Sequence, residues 1–233
     1  MPAAFVSSVN TAMAATASTT VAKPASVVSG TLLVAMHSAT TSLVADMLVT
    51  GGGTWNSTQA LSLTTNALSC RISWRFAGGS EPATYTVTHT STSSNGVMTM
   101  VAISGANPSM INPVYGTVAS ATSAATTITC PTATPVAADD LQLRYACGSG
   151  GASCTWSFAA ESPVATSLTN IQVATLRANQ LVSWRQLASG AAVGTNVATS
   201  TFSQTNRIAH TILIPSAPAA AAVIPELIMG RYS

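Results

Sequence analysis

The histidines are the residues of this chain whose side chains could most readily bind a metal or transfer protons. His37, His89 and His210 lie far apart, with no i, i+4 pair and no cysteine beside them. Metal sites usually show tighter ligand spacing. Strand pairing could still bring two of them together, but the sequence predicts no metal site and no cofactor.

The acidic residues are the second group that could do chemistry. Of six acids only Asp139 and Asp140 are adjacent, and neighbours on a strand point to opposite faces, so they form no acid–base pair. They precede an apolar run, where Asp serves as a turn residue. Glu81 is expected at a solvated loop tip. Because no nucleophile elbow or phosphate loop is present either, we expect no catalytic residues and a protein that is not an enzyme.

The cysteines allow two interpretations. Cys147 and Cys154 flank a glycine-rich turn and could face each other across a hairpin as a disulfide. Alternatively they are small buried thiols, because cysteine often behaves as a small hydrophobic residue. Four cysteines in a chain of 233 residues do not make a disulfide framework.

The four tryptophans fall into two pairs. Trp74 and Trp184 lie on the apolar faces of alternating segments and are expected in the core. Trp55 and Trp156 follow glycine-rich loops and could be exposed platforms on which sugar rings stack. A position in the core or at the rim of a subunit interface explains the second pair equally well.

The elements that must position these residues are short strands. Residues 68–76 alternate apolar and polar side chains, a turn follows at residues 77–82, and alternation returns at 84–88, which predicts a long antiparallel hairpin. A second Ser-Trp-Arg, at residues 183–185, is expected in the partner sheet. Many such runs separated by Gly and Pro indicate an all-β fold, a jelly-roll-like antiparallel β-sandwich. Further strands are predicted at residues 32–36, 43–49, 60–63, 97–104, 126–130, 141–147, 155–158, 172–176, 181–187, 197–202 and 209–214.

The domain boundaries follow from this pattern. We expect a lead-in over residues 1–23, one β-sandwich over 24–214 and an extended tail over 215–233. Landmarks recur in the same order about 109 residues apart, such as Leu32 and Leu141, or Ser73-Trp74-Arg75 and Ser183-Trp184-Arg185, which weakly indicates a repeated half-sandwich.

The composition excludes several partners. Charged residues make up 6% of the chain, against about 25% in an average domain. A net charge of +2 without basic clusters gives no basis for nucleic-acid binding. No run of about 18 apolar residues and no signal-peptide pattern is present, so we expect neither a membrane partner nor secretion. Low charge favours packing against copies of the same chain, with a homotrimer the expected state.

The order of several short motifs resembles β-sandwich proteins encoded in the structural modules of tailed bacteriophages. The resemblance spans residues 24–214 and rests on Gly30-Thr31-Leu32-Leu33-Val34-Ala35, Gly53-Thr54-Trp55, Trp74-Arg75, Ser80-Glu81-Pro82-Ala83-Thr84-Tyr85-Thr86-Val87-Thr88 and Val101-Ala102-Ile103-Ser104-Gly105-Ala106. Family members usually carry Gly-Asp where this chain has Gly30-Thr31. The resemblance implies a virion protein without catalytic residues: a capsid decoration, or a collar or fibre component. Its partners would be capsid or neck proteins, and it would be made in the host cytoplasm and located on the virion surface. The alternative is a carbohydrate-binding module for host recognition.

The tail is expected to be an interface. Pro215, Pro218 and Pro225 prevent it from forming a regular central strand. Its apolar side chains would then pack on a neighbouring subunit, although folding back on the same domain is the alternative; they are Val223, Ile224, Leu227, Ile228 and Met229.

Overall fold

The computed structural model describes residues 1–14, 16–63, 67–90, 95–150, 154–161, 165–172 and 178–218. Within these ranges the chain is built almost entirely from antiparallel strands, and the only helix is a 3-10 turn at Val44–Asp46. The strands of the first half are β1 (Ala4–Met13), β2 (Ser18–Ala22), β3 (Leu32–Thr40), β4 (Val49–Thr50), β5 (Asn56–Leu63), β6 (Leu68–Phe76), β7 (Thr84–Thr88) and β8 (Asn95–Ser104). Those of the second half are β9 (Tyr115–Ala121), β10 (Ala125–Cys130), β11 (Leu141–Ser149), β12 (Trp156–Phe158), β13 (Thr166–Gln172), β14 (Ala178–Gln186), β15 (Asn196–Gln204) and β16 (Asn206–Ile214).

The two halves have the same strand order. In the first half a five-stranded sheet, β1-β8-β3-β6-β5, accompanies a three-stranded sheet, β2-β7-β4. The second half repeats both, as β9-β16-β11-β14-β13 and β10-β15-β12. Each strand of the second half therefore has a counterpart eight strands earlier. The recurring Ser-Trp-Arg lies on β6 and on its counterpart β14. The repeating unit therefore consists of one five-stranded and one three-stranded sheet.

The largest core lies between the two five-stranded sheets. It takes side chains from matching positions, among them Leu32 and Val34 of β3 and Leu141 and Leu143 of β11. A smaller core separates each five-stranded sheet from its three-stranded partner. The sheets thus stack in the order three, five, five, three. The predicted all-β sandwich is confirmed, whereas its jelly-roll form stays a prediction.

The predicted hairpin between β6 and β7 is wrong. The bounds of β6 are as predicted, but β6 pairs with β3 and β5, whereas β7 pairs with β2 and β4 in the other sheet. Residues 77–83 therefore cross from one layer to the next. Trp74 packs in the central core while Tyr85 packs in the outer one. Alternation shows which side of a strand is buried, but it does not identify the neighbouring strand.

Four strands and one helical turn differ from the sequence prediction. The expected lead-in, residues 1–23, contains β1, which pairs along β8, and β2, which pairs with β7. Strand β9 was also not predicted, and β13 (Thr166–Gln172) precedes the strand expected at 172–176, of which residues 173–176 lie outside the described residues. These strands are rich in Ser, Thr and Ala and have little apolar alternation, so their pairing depends on neighbours distant in sequence. The strand expected at 43–49 is instead the 3-10 turn followed by the two-residue β4.

Candidate functional site

Two arginines occupy matching positions near the ends of β6 and β14. Arg75 and Arg185 each follow the tryptophan of a Ser-Trp-Arg motif. Because successive side chains on a strand point to opposite faces, each arginine points away from the central core that its tryptophan contacts. Each is almost buried and makes an ion pair with a glutamate. The repeat therefore places one buried ion cluster in each half.

The cluster around Arg75 is complete within the first repeat. Arg75 Nη1 donates to Glu81 Oε2 at 2.9 Å, and the Tyr85 hydroxyl donates to the same oxygen at 2.8 Å. Glu81 Oε1 accepts the backbone N–H of Gly78 at 2.6 Å. Burial of Tyr85, and the hydrogen bond that its hydroxyl donates to Glu81, raise the pKa of Tyr85. The side chain of Glu81 is only 3% exposed, so the prediction of a solvated loop tip is wrong.

A glycine loop covers this cluster. Gly52 has φ +73°, and a Cβ at this position would collide with the guanidinium of Arg75. Trp55 lies beside the loop, with Arg75 Cζ 5.9 Å from its ring centroid and its indole N–H donating to Gly51 O at 3.0 Å. The loop therefore needs glycine to approach the charged group closely.

The cluster around Arg185 is larger and was not predicted. Glu161 Oε1 accepts from Arg144 Nη2 at 2.9 Å and lies 3.3 Å from Arg185 Nη2. Arg185 Nε also donates to Gln142 Oε1 at 2.7 Å. Burial lowers the pKa of Arg185, the charge of Glu161 opposes this shift, and the charge of Arg144 adds to it.

The repeats differ in what surrounds these arginines. The counterparts of Gln142 and Arg144 on β3 are Leu33 and Ala35, which belong to an apolar outer core. Gln142 and Arg144 alternate with apolar residues on β11. This alternation in the sequence predicts a polar face on that strand. That signal did not identify Glu161 as the partner, because Glu161 comes from a loop beyond β12.

Two of the cavities beside the described residues lie near features discussed above. One, of about 680 Å³, lies beside the Arg185 cluster and is lined by Glu161, Arg185, Asn196 and the loop around Val193. The other, of about 510 Å³, is more apolar and lies where residues 1–2 meet residues 215–218. Of these two, the first combines a buried charge cluster with an open volume.

The structure brings two histidines together. His37 Nε2 lies 2.7 Å from His89 Nε2, and both rings are buried. Burial, then the charges of His89 and Arg71, holds the pKa of His37 well below its usual range. Burial also lowers the pKa of His210 to about 3. Within the described ranges no group of three histidine, cysteine or acidic side chains is placed to hold a metal ion.

The cysteines and the acid pair have structural positions. Cys147 and Cys154 are both buried and form no disulfide with each other, as in the second of the two interpretations. Asp140 is fully buried and accepts the backbone N–H groups of Val136 and Ser216. Asp139, with φ +67°, occupies the turn before β11.

The tryptophans divide differently from the expectation. Trp74 is 9% exposed in the central core, and Trp184 packs against that core with its ring stacked 4.9 Å from Phe5. Trp156 is 3% exposed and donates its indole N–H to Asn179, so it offers no platform for a sugar ring and that expectation is wrong. Trp55 is half-buried against the edge of Tyr85.

The predicted tail interface, Val223, Ile224, Leu227, Ile228 and Met229, lies outside the described residues. Residues 215–218 are described and are tied to the body of the protein. Asn107 N donates to Pro215 O at 2.9 Å, and the amino terminus donates to Ala217 O at 2.7 Å. The expected extended tail therefore begins with a docked segment.

The outward faces of the two three-stranded sheets carry no charge. Their six strands contain no Lys, Arg, Asp or Glu. Pairing aligns Thr20, Thr86 and Thr50 in one exposed row across the first sheet. In the second sheet Thr127, Thr199 and Ser157 form the corresponding row, next to exposed Val197 and Phe202.

Comparison with known proteins gives no relative: no family model, no curated protein and no solved structure matches the chain. In the described part of the chain, no helix has the length and apolar character needed to cross a membrane.

Proposed function

We propose that the protein is a structural component of a phage particle, a capsid decoration or a collar or fibre protein. It would act through repeated contacts with copies of itself and with capsid or neck proteins. The virion setting rests on the sequence resemblance over residues 24–214. The self-contact rests on the structure of the outer sheets.

The observation that carries the proposal is the absence of charge on both outward sheet faces. Burying an ion at an interface costs several kcal/mol unless it is well paired. The Thr20–Thr86–Thr50 row and its counterpart can be covered without that cost. A stable interface needs about 1,200–2,000 Å² of total buried surface, and each chain offers two such faces. A second copy of the chain supplies an equally uncharged partner, and a homotrimer is the state we expect.

Charge insertion tests the self-contact. Thr86→Glu and Thr199→Glu each place an ion in the middle of an outer face, whereas Thr122→Glu places one on an exposed turn. We expect the native protein to associate in analytical ultracentrifugation, the first two variants to dissociate and Thr122→Glu to behave as the native protein. Thermal melts check that all three fold. A native protein that stays monomeric at high concentration would contradict the self-contact.

The virion setting needs a separate experiment. Antibodies against the protein, visualised with gold on intact particles, should label repeated positions on the capsid, collar or fibres. Absence of label from purified particles would refute the virion role even if the protein self-associates.

A further inference from the structure

The more apolar of the two cavities, of about 510 Å³, has exposed hydrophobic side chains in its lining. Met1 is 72% exposed and Val136 is 63% exposed, and the half-buried Met110 lies beside the same volume. Among the described lining residues, only Asp139 has an ionisable side chain. Single exposed hydrophobic residues are common, but several around one concave site are typical of a surface that binds another polypeptide. The cavity therefore suits an apolar protein segment.

The first residues of the tail form one wall of this cavity. Pro215 O and Ala217 O both accept hydrogen bonds, as described above, and Ala217 N donates to Gly105 O at 2.8 Å. These bonds fix the segment along the cavity. The described part of the chain ends at Pro218, which also belongs to the lining. The tail therefore leaves the described structure at the cavity itself.

The tail of the same chain is poorly placed to fill this volume. Its first large apolar side chain is Val223, five residues beyond Pro218. Five residues advance about 17 Å when extended and about 8 Å when helical, so Val223 comes back to the cavity only after a reversal of the chain. Turns favour Gly, Pro, Asn, Asp and Ser, whereas residues 219–222 are all alanine. The tail of a second copy needs no such reversal.

The composition of the tail matches the cavity. Residues 219–225 have the sequence Ala-Ala-Ala-Ala-Val-Ile-Pro, which contains no ionisable side chain. Contact of this segment with Met1 and Val136 removes apolar surface from water on both sides, and no ion of the segment has to be desolvated. Proline at each end of the alanine and valine-isoleucine run restricts the free chain, which lowers the entropy lost on binding.

We propose that this cavity receives Val223 and Ile224 from the tail of a neighbouring copy of the chain. The proposal rests on the self-contact proposed above and adds a second, different contact to that between outer sheets. Because the tail and the cavity are different surfaces, the contact is heterologous. Heterologous contacts can close into a ring, as the expected homotrimer requires.

The test is thiol cross-linking between full-length chains that are co-expressed with tags of different size. One chain carries Val136→Cys and the other carries Ile224→Cys, and a short bismaleimide joins cysteines that lie close together. The control pair replaces Val136→Cys with Thr122→Cys, at an exposed position outside the cavity lining. The four native cysteines are buried, and the treated native protein gives the background. We expect the Val136 pair to give a mixed dimer on a denaturing gel, several-fold more than the control pair. Thermal melts show whether the variants fold.

The double variant Val136→Cys/Ile224→Cys identifies the origin of the tail. A cross-link within one chain, with no mixed dimer from the separate variants, would mean that the tail folds back on its own chain, and the proposal would be overturned. Equal mixed dimer from the Val136 and Thr122 pairs, or none from a protein that sediments as an oligomer, would also overturn it and would leave the contact between outer sheets in place. A native protein that sediments as a monomer would instead refute the self-contact on which this proposal rests.

Discussion

The buried cluster of the second repeat makes a sharp stability prediction. Glu161→Gln keeps the shape of the side chain but removes the only negative charge in the cluster described above. Arg144 is 1% exposed and Arg185 is 9% exposed, so neither guanidinium is well solvated. Breaking a buried ion pair by neutralising one partner typically costs about 3–5 kcal/mol. That is a large part of a usual stability of about 5–15 kcal/mol.

The remaining hydrogen bonds place the expected loss toward the lower end. Arg144 still donates to Pro131 O and Gly194 O, and Arg185 still donates to Gln142 Oε1. We therefore expect Glu161→Gln to reduce the free energy of unfolding by about 3 kcal/mol. Adding Arg144→Met should recover part of this loss, because it removes one of the two unpaired charges and substitutes an apolar side chain.

The assay is urea denaturation followed by circular dichroism, with midpoints compared at constant slope. Asp139→Asn is the matched control, because it removes one negative charge from an exposed turn residue. We expect it to change stability by less than about 0.5 kcal/mol. If Glu161→Gln costs no more than this control, the cluster is solvated in solution and the reasoning from burial is refuted.

Three further predictions concern the core, the histidines and the tail. Trp74→Ala should cost about 3–5 kcal/mol, and Trp184→Ala, whose ring is partly exposed, should fall at the lower end; unchanged thermal melts would show that the assigned faces are wrong. Because the folded-state pKa of His210 is about 3, its stabilising contribution is complete above its unfolded pKa near 6.5 and is lost as pH falls toward 3. The loss in the free energy of unfolding from His210 is about 2 kcal/mol at pH 5. The lowered pKa of His37 also reduces stability as pH falls. A urea midpoint that does not decrease between pH 7 and pH 5 would contradict the lowered pKa values of both histidines. Truncation after Pro218, which keeps the docked segment, should leave folding intact and abolish assembly on particles; normal assembly would exclude an interface role for the tail.

The sequence predicted strands where large side chains alternate. β6 has the predicted bounds because Ile72, Trp74 and Phe76 mark one face so clearly. β1 and β9 were missed because Ser, Thr and Ala carry little pattern, and their pairing with β8 and β16 is non-local. The predicted hairpin between β6 and β7 is wrong for a similar reason. The periodicity of side chains is a property of one strand, whereas the sheet to which a strand belongs depends on the neighbouring strands with which it pairs.

The candidate site was less predictable for a related reason. Arg185 belongs to a repeated motif, but its partner Glu161 and the second arginine of the cluster, Arg144, come from two other segments of the chain. A lone acid in a loop resembles a solvated residue until its neighbours are known. The error over Glu81 had the same origin.

The central core has a consequence for how the two repeats can vary. Matching faces of the two five-stranded sheets pack on each other. The two repeats are therefore arranged like the subunits of a twofold dimer that have been joined into one chain. Joining them gives the second repeat a high effective concentration near the first, so their association does not depend on protein concentration. A true homodimer must also carry every substitution twice. In a fused pair one member can keep Leu33 and Ala35 while the other carries Gln142 and Arg144, so a buried ion cluster of three charges can evolve on one side without changing the other.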